Sequence, residues 1–223
     1  TTTGTGATTS LLDVALQQLE ASGVSLEPSS RVCMIGKVAS GTSTAFGAWC
    51  ESTLKPLDVK GFLLLLPTGW CHTIEGAPTD IMAFMHALAT EKKVANVRVI
   101  ATQEDVRSCC FPHWTCYECS VQRSNFAEVD DDSVHTLLAD TAIAMLKIGK
   151  KIAAEGANQA AAGALVEDWQ THFPDMVSDE RVGQLLDQEG LPSLDDFLEI
   201  YDSPVDIIME GDTIWPPERA TIY

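Results

Sequence analysis

The side chains best suited to chemistry crowd into one stretch: Cys109, Cys110, His113, Cys116 and Cys119. Soft ligands this close in sequence suit a tetrahedral zinc ion. The surrounding run TCYECSV reads as a strand, however, and strand residues three apart point to opposite faces. No second cysteine pair lies at finger spacing. The expectation is therefore buried, small apolar cysteines and no metal. A thioredoxin-type redox pair needs a helix N-terminus to lower its first thiol, and Cys116-Tyr-Glu-Cys119 offers a strand instead.

The histidines are read the same way. His72 lies in a strand-like stretch, His86 in an amphipathic helix, and His135 and His172 among acids. Each suits a structural or surface role better than catalysis. Asp130-Asp131-Asp132 is a solvated helix start that the helix dipole favours, rather than a cation site. GxxxxGKS, GxGxxG, GxSxG and HExxH are all absent. No catalytic residue is expected, and no enzyme.

Charge limits the partners. The net charge is -18, and residues 124 to 223 carry most of it, with 21 acids against five Lys or Arg. Such a half repels phosphate backbones and anionic lipid, which speaks against nucleic acid and membrane, and it suits basic protein surfaces. No apolar run approaches the roughly 18 residues of a membrane span, so a soluble protein is expected. Seven cysteines, none after Cys119, fit a reducing intracellular compartment better than a disulfide framework.

The elements that would position these groups follow from periodicity. An amphipathic helix is predicted over 10–22, with Leu11, Leu12, Ala15, Leu16 and Leu19 on one stripe and Ser10 as cap. Arg31 to Ala39 suits a buried strand. TSTAFGAWCESTLK suits a helix with Ala45, Trp49 and Ser52 or Thr53 inward. Lys60 to Leu66 and Trp70 to Ile74 form a hairpin around Pro67-Thr-Gly69. Pro78 starts a helix that buries Ile81, Phe84, Met85 and Leu88. Asn96 to Ala101 and a run within FPHWTCYECSV are further strands. This β-α-β-β-α-β order with an extra strand is an α+β, ferredoxin-like arrangement. A long helix follows the triple Asp, with Val134, Leu137, Leu138, Ile143, Ala144 and Leu146 apolar. Two short acidic helices cover Arg181 to Gln188 and Leu194 to Tyr201, and VDIIM and TIW are short β pieces. The expected division is an N-terminal extension (1–30), a domain (31–125) and an acidic helical extension with a short C-terminal hairpin (126–223).

GFLLLLPTGWCHTIEG with its Pro-started helix, together with FPHWTCYE, resembles BLUF domains, the flavin-binding blue-light sensors. LEIYDSPVDIIMEGDTIWPP resembles the C-terminal segment of the testis-expressed protein 47 family, BLUF-like proteins of motile cilia and sperm flagella. BLUF photochemistry relies on a first-strand Tyr, a third-strand Gln and a first-helix Asn around the flavin. Here no residue from Cys33 to Ala39 is Tyr, the Gln position falls on His72, and the Asn position falls near Leu54. The last-strand Met position is taken by Cys116 or its neighbour, and Trp114 alone is kept. The resemblance thus implies vacated flavin positions at Leu54, His72, Trp114 and Cys116, and no cofactor.

It also implies a non-enzymatic structural component of the axoneme, the ciliary cytoskeleton, in a central-apparatus projection. Its partners would be a large scaffold protein and, through an open sheet edge, a sibling BLUF-like subunit. Tyr201, Trp215 and Pro216 in the tail, and Leu12 and Leu16 on the first helix, are the expected partner contacts. The competing expectation is a sensor that keeps the pocket and binds a flavin or another small molecule, with Trp49, Trp70 and His72 lining it.

Overall fold

The computed structural model describes residues 10, 11, 14, 15, 17, 18, 28–39, 41–119, 134–155, 173 and 177–202. The apolar runs become the strands β1 (Ser30–Val38), β2 (Lys60–Leu65), β3 (Gly69–Gly76), β4 (Val94–Gln103) and β5 (Trp114–Glu118). They form one mixed sheet in the order β4-β1-β3-β2-β5. All neighbours are antiparallel except β2 and β5, which run parallel. Helix α1 (Ser43–Leu54) links β1 to β2, and α2 (Pro78–Ala89) links β3 to β4. The ferredoxin-like arrangement with a fifth strand is therefore present.

β2 and β3 are buried along nearly their whole length rather than on alternate residues. An uninterrupted apolar run demands cover on both faces of the sheet. One face packs under α1 and α2 through Met34, Leu63, Leu65, Trp70 and Ile74. The other, through Cys33, Ile35, Phe62, Leu64 and Cys71, packs under α3 (Val134–Glu155) and α4 (Asp179–Leu186). A last helix, α5 (Leu194–Tyr201), lays Leu194 and Phe197 against the α1/α2 face.

Helix phases sharpen two expectations. The inward stripe of α1 is Phe46, Gly47, Cys50 and Leu54, whereas Ala45 and Ser52 face outward and Trp49 lies at the boundary. The bulkier side chains at i, i+4 and i+8 win the core because they bury more apolar area. In α3 the buried positions are Thr141, Ala144, Met145, Ile148, Gly149 and Ile152, and Ile143 is 47% exposed. The missing side chain of Gly149 admits Phe111, whose ring a Cβ there would meet at 2.6–2.9 Å. In α2 the buried set is the expected one, with Pro78 in its first turn.

Caps and clasps hold the covering helices. Ser178 caps α4 and Ser193 forms a capping box with Asp196 in α5. Asp179 in the first turn of α4 accepts from Thr68 N, Thr68 Oγ1 and Gly69 N at 2.7–3.0 Å, fixing the hairpin corner. The β4 edge is partly closed as well. Val99 N donates to Pro192 O at 3.3 Å, and Arg98 pairs with Ser193. Beneath the sheet end, Glu75 is fully buried, ion-paired to Arg31, and accepts from Cys110 N at 2.7 Å and Phe111 N at 3.1 Å. That clamp ties the loop before β5 to the sheet.

Candidate functional site

His72 sits at the middle of β3, paired with Met34 on β1 and Leu63 on β2. Side-chain alternation points it toward α1 and α2, and it is 0% exposed. Trp114 Nε1, from β5, donates to His72 Nε2 at 3.0 Å. Because that nitrogen accepts, the proton of the neutral ring resides on Nδ1, which has no hydrogen-bond partner. Burial pushes the His72 pKa down to about 3, so the imidazole is uncharged at neutral pH.

The space between the two helices and the sheet is filled by the chain's own rings. Trp114 meets His72 edge-on at 6.2 Å, His72 meets Phe84 at 5.4 Å, and Phe84 meets Trp49 at 5.9 Å. Phe46 then lies 5.9 Å from Trp49 and 5.3 Å from Trp70. These separations suit favourable edge and offset aromatic contacts. Trp70 reaches under β1, where a Cβ at Gly36 would come within 2.5 Å of its ring.

The flavin that BLUF domains hold does not fit these residues. Leu54 closes the end of α1 with an apolar side chain, and His72 spends its acceptor on Trp114. Phe46, Trp49, Trp70 and Phe84 take the space between helices and sheet. Cys116 is half-buried against α1, where a Cβ at Gly47 would come within 3.0 Å of its sulfur, and burial pushes its thiol up to about 12. Cys116 packs on the α1/α2 face while Cys119 packs on the other, so the two cannot share a metal ion. Among the described residues no group of His, Cys, Asp and Glu has the geometry of a metal site.

Of the four expected flavin positions, Leu54, Trp114 and Cys116 belong to the α1/α2 face and His72 is bonded to Trp114, while Trp49, Trp70 and His72 are packed within the chain of rings. Two of these positions, Leu54 and Trp114, also line an open cavity of about 590 Å³, together with Glu51, Lys55, Leu57, Val59 and His113. Phe46 and Phe84 are the contributors that sequence reasoning missed in this role. Helical spacing marked Phe84 as core, whereas Phe46 was passed over for Ala45, and nothing local indicated which space either ring fills.

Of the expected partner contacts, Tyr201 is 57% exposed at the end of α5, stacked on Phe197 at 4.3 Å. Leu12, Leu16, Trp215, Pro216 and the VDIIM and TIW segments lie outside the described residues. Leu11 is helical and 91% exposed.

Comparison with known proteins adds the following. A family model for testis-expressed protein 47 matches residues 50–203. No curated protein matches the chain. Similar solved structures include a bacterial light-regulated adenylyl cyclase, at 17% identity over 52% of this chain and 34% of that one, with a TM-score of 0.38. The BLUF domain of BlrP1 matches at 12% identity over 71% and 86%, with a TM-score of 0.38. Klebsiella pneumoniae BlrP1 in a calcium/cy-diGMP complex matches at 11% over 54% and 35%, with a TM-score of 0.40. The chain spans about a third of the cyclase structure it matches.

Proposed function

Because the chain belongs to the testis-expressed protein 47 family, we propose that it is a non-enzymatic structural component of the motile cilium or flagellum. Its place is a central-apparatus projection of the axoneme, where it joins larger scaffold proteins through its surface. The observation that carries this reading is the filled site: six side chains, from Trp114 through His72 to Trp70, occupy the space between helices and sheet. A protein so packed acts by shape.

The absence of catalysis in this reading is supported by the state of the reactive groups. His72 is neutral and sealed. Burial raises the Cys50 and Cys116 thiols, leaving little thiolate for nucleophilic work. The Cys33 and Cys71 thiols lie side by side at 3% and 0% exposure, beyond reach of a substrate. His86 is exposed but holds Asp202 at 2.8 Å, joining α2 to the end of α5.

Imaging motile cilia that carry a tagged copy tests the placement. Density or label on a central-apparatus projection is the expected result, and label confined to the cell body overturns it. A second reading rests on the cavity beside Trp114, whose apolar wall and volume suit a small molecule, with Lys55 at its rim. Native mass spectrometry of the purified chain decides it: a retained ligand adds mass, and a bare chain removes that reading.

A further inference from the structure

The apolar stripe of α5 runs past the surface that it packs on. Leu194, Phe197, Leu198 and Tyr201 follow the i, i+3, i+4, i+7 spacing of one helical face. The first two are buried and Leu198 is half-buried, but Tyr201 emerges 57% exposed. Ile200 beside it is 66% exposed, so two large apolar side chains share the last turn. On the outward face Asp195 and Glu199 are exposed, one turn apart. Asp196 and Asp202 are already engaged, by Ser193 and His86 respectively.

We infer that this end of α5 is a docking site for a lysine- or arginine-rich segment of a partner protein that carries an apolar anchor. The anchor would extend the Phe197–Tyr201 stack and cover Ile200, while its cations meet Asp195 and Glu199. The inference rests on the structural reading above and names the chemistry of one contact. Charge selects this occupant over two others. Residues 203–223 carry four acids and one arginine, so the chain's own tail is repelled from an acidic face. A second copy brings another -18 and is repelled more strongly. Residues 179–202 hold eight acids against Arg181 alone, which attracts a basic segment and speeds its encounter.

The test uses the purified full chain and a fluorescent amphipathic peptide of lysine and leucine, followed by anisotropy. Asp195→Lys with Glu199→Lys should weaken binding about tenfold or more, because two attractions become repulsions. Ile200→Ser with Tyr201→Ala, or replacement of the peptide's leucines by alanine, should weaken it about tenfold through lost apolar burial. Glu104→Lys with Asp140→Lys changes net charge equally on exposed sites elsewhere, and should shift affinity less than about threefold. Circular dichroism checks that each variant is folded. No measurable binding, equal loss in the control pair, or no loss in the apolar pair overturns the inference. A photo-crosslinker placed at position 201 identifies the occupant. Capture of the peptide is expected, whereas capture of residues 203–223 or of a second copy overturns the assignment. None of these readouts depends on where the chain resides in a cell, so their failure is separate from failure of the ciliary placement.

Discussion

His72 was the most suggestive single residue in the sequence, and its environment gives it a measurable signature. Folded, the ring resists protonation until about pH 3, while in the unfolded chain it titrates near 6.5. Between those values the unfolded state binds the extra proton, so stability is complete above about pH 6.5 and falls as pH drops. The slope reaches about 1.4 kcal/mol per pH unit. His72→Gln removes this titration and keeps an acceptor for the Trp114 indole. Urea unfolding at about pH 7 and about pH 5 should therefore show the wild type losing about 2 kcal/mol more than the variant, since the other groups titrate alike in both. Equal losses would place the imidazole in contact with water. Glu75 offers the opposite case, a charge that must stay. Glu75→Gln leaves the Arg31 guanidinium without its counter-charge, and thermal unfolding should report a loss of about 3–5 kcal/mol.

Two glycines in helices separate propensity from packing at the level of the element. Gly→Ala in a helix interior normally stabilises by roughly 1 kcal/mol. At Gly183 in α4 nothing lies within 4 Å of an added Cβ, so Gly183→Ala should raise the melting temperature. At Gly149 in α3 the Cβ would meet the Phe111 ring at 2.6–2.9 Å. Overpacking of that kind costs about 1–3 kcal/mol, which exceeds the propensity gain, so Gly149→Ala should lower the melting temperature. Differential scanning calorimetry of the pair reads both signs. The same contrast explains what the sequence made legible. Strand existence, the hairpin at Pro67-Thr-Gly69 and the buried face of α2 are local patterns, and they are found where periodicity puts them. The phase of α1 is not local, because Ala45 and Phe46 compete for the same interior and only the assembled sheet decides between them. The Trp114–His72 bond joins positions 42 residues apart on non-neighbouring strands. Its partners were legible as vacated positions, while the ring-filled interior was not.

For the molecule as a whole, the charge that would attract a basic partner also acts against the free fold, and salt separates the two effects. The acidic helices α4 and α5 cover opposite faces of the sheet, and residues 179–202 hold eight acids against one arginine, so like charges are gathered in the compact state. Raising ionic strength from about 0.02 to about 0.3 M shortens the screening length to well under 10 Å. That should raise the melting temperature of the isolated chain by a few degrees. The docking inferred above responds in the opposite direction: the same salt weakens contacts between an acidic surface and a basic partner, so binding of the lysine and leucine peptide should fall progressively as salt increases. A melting temperature insensitive to salt would mean that the acids are too dispersed to repel. Peptide binding undiminished at about 0.5 M salt would mean that apolar burial, rather than charge, makes the contact. With both measured on one protein, stabilisation of the free chain together with release of the peptide is the outcome that acidic docking requires.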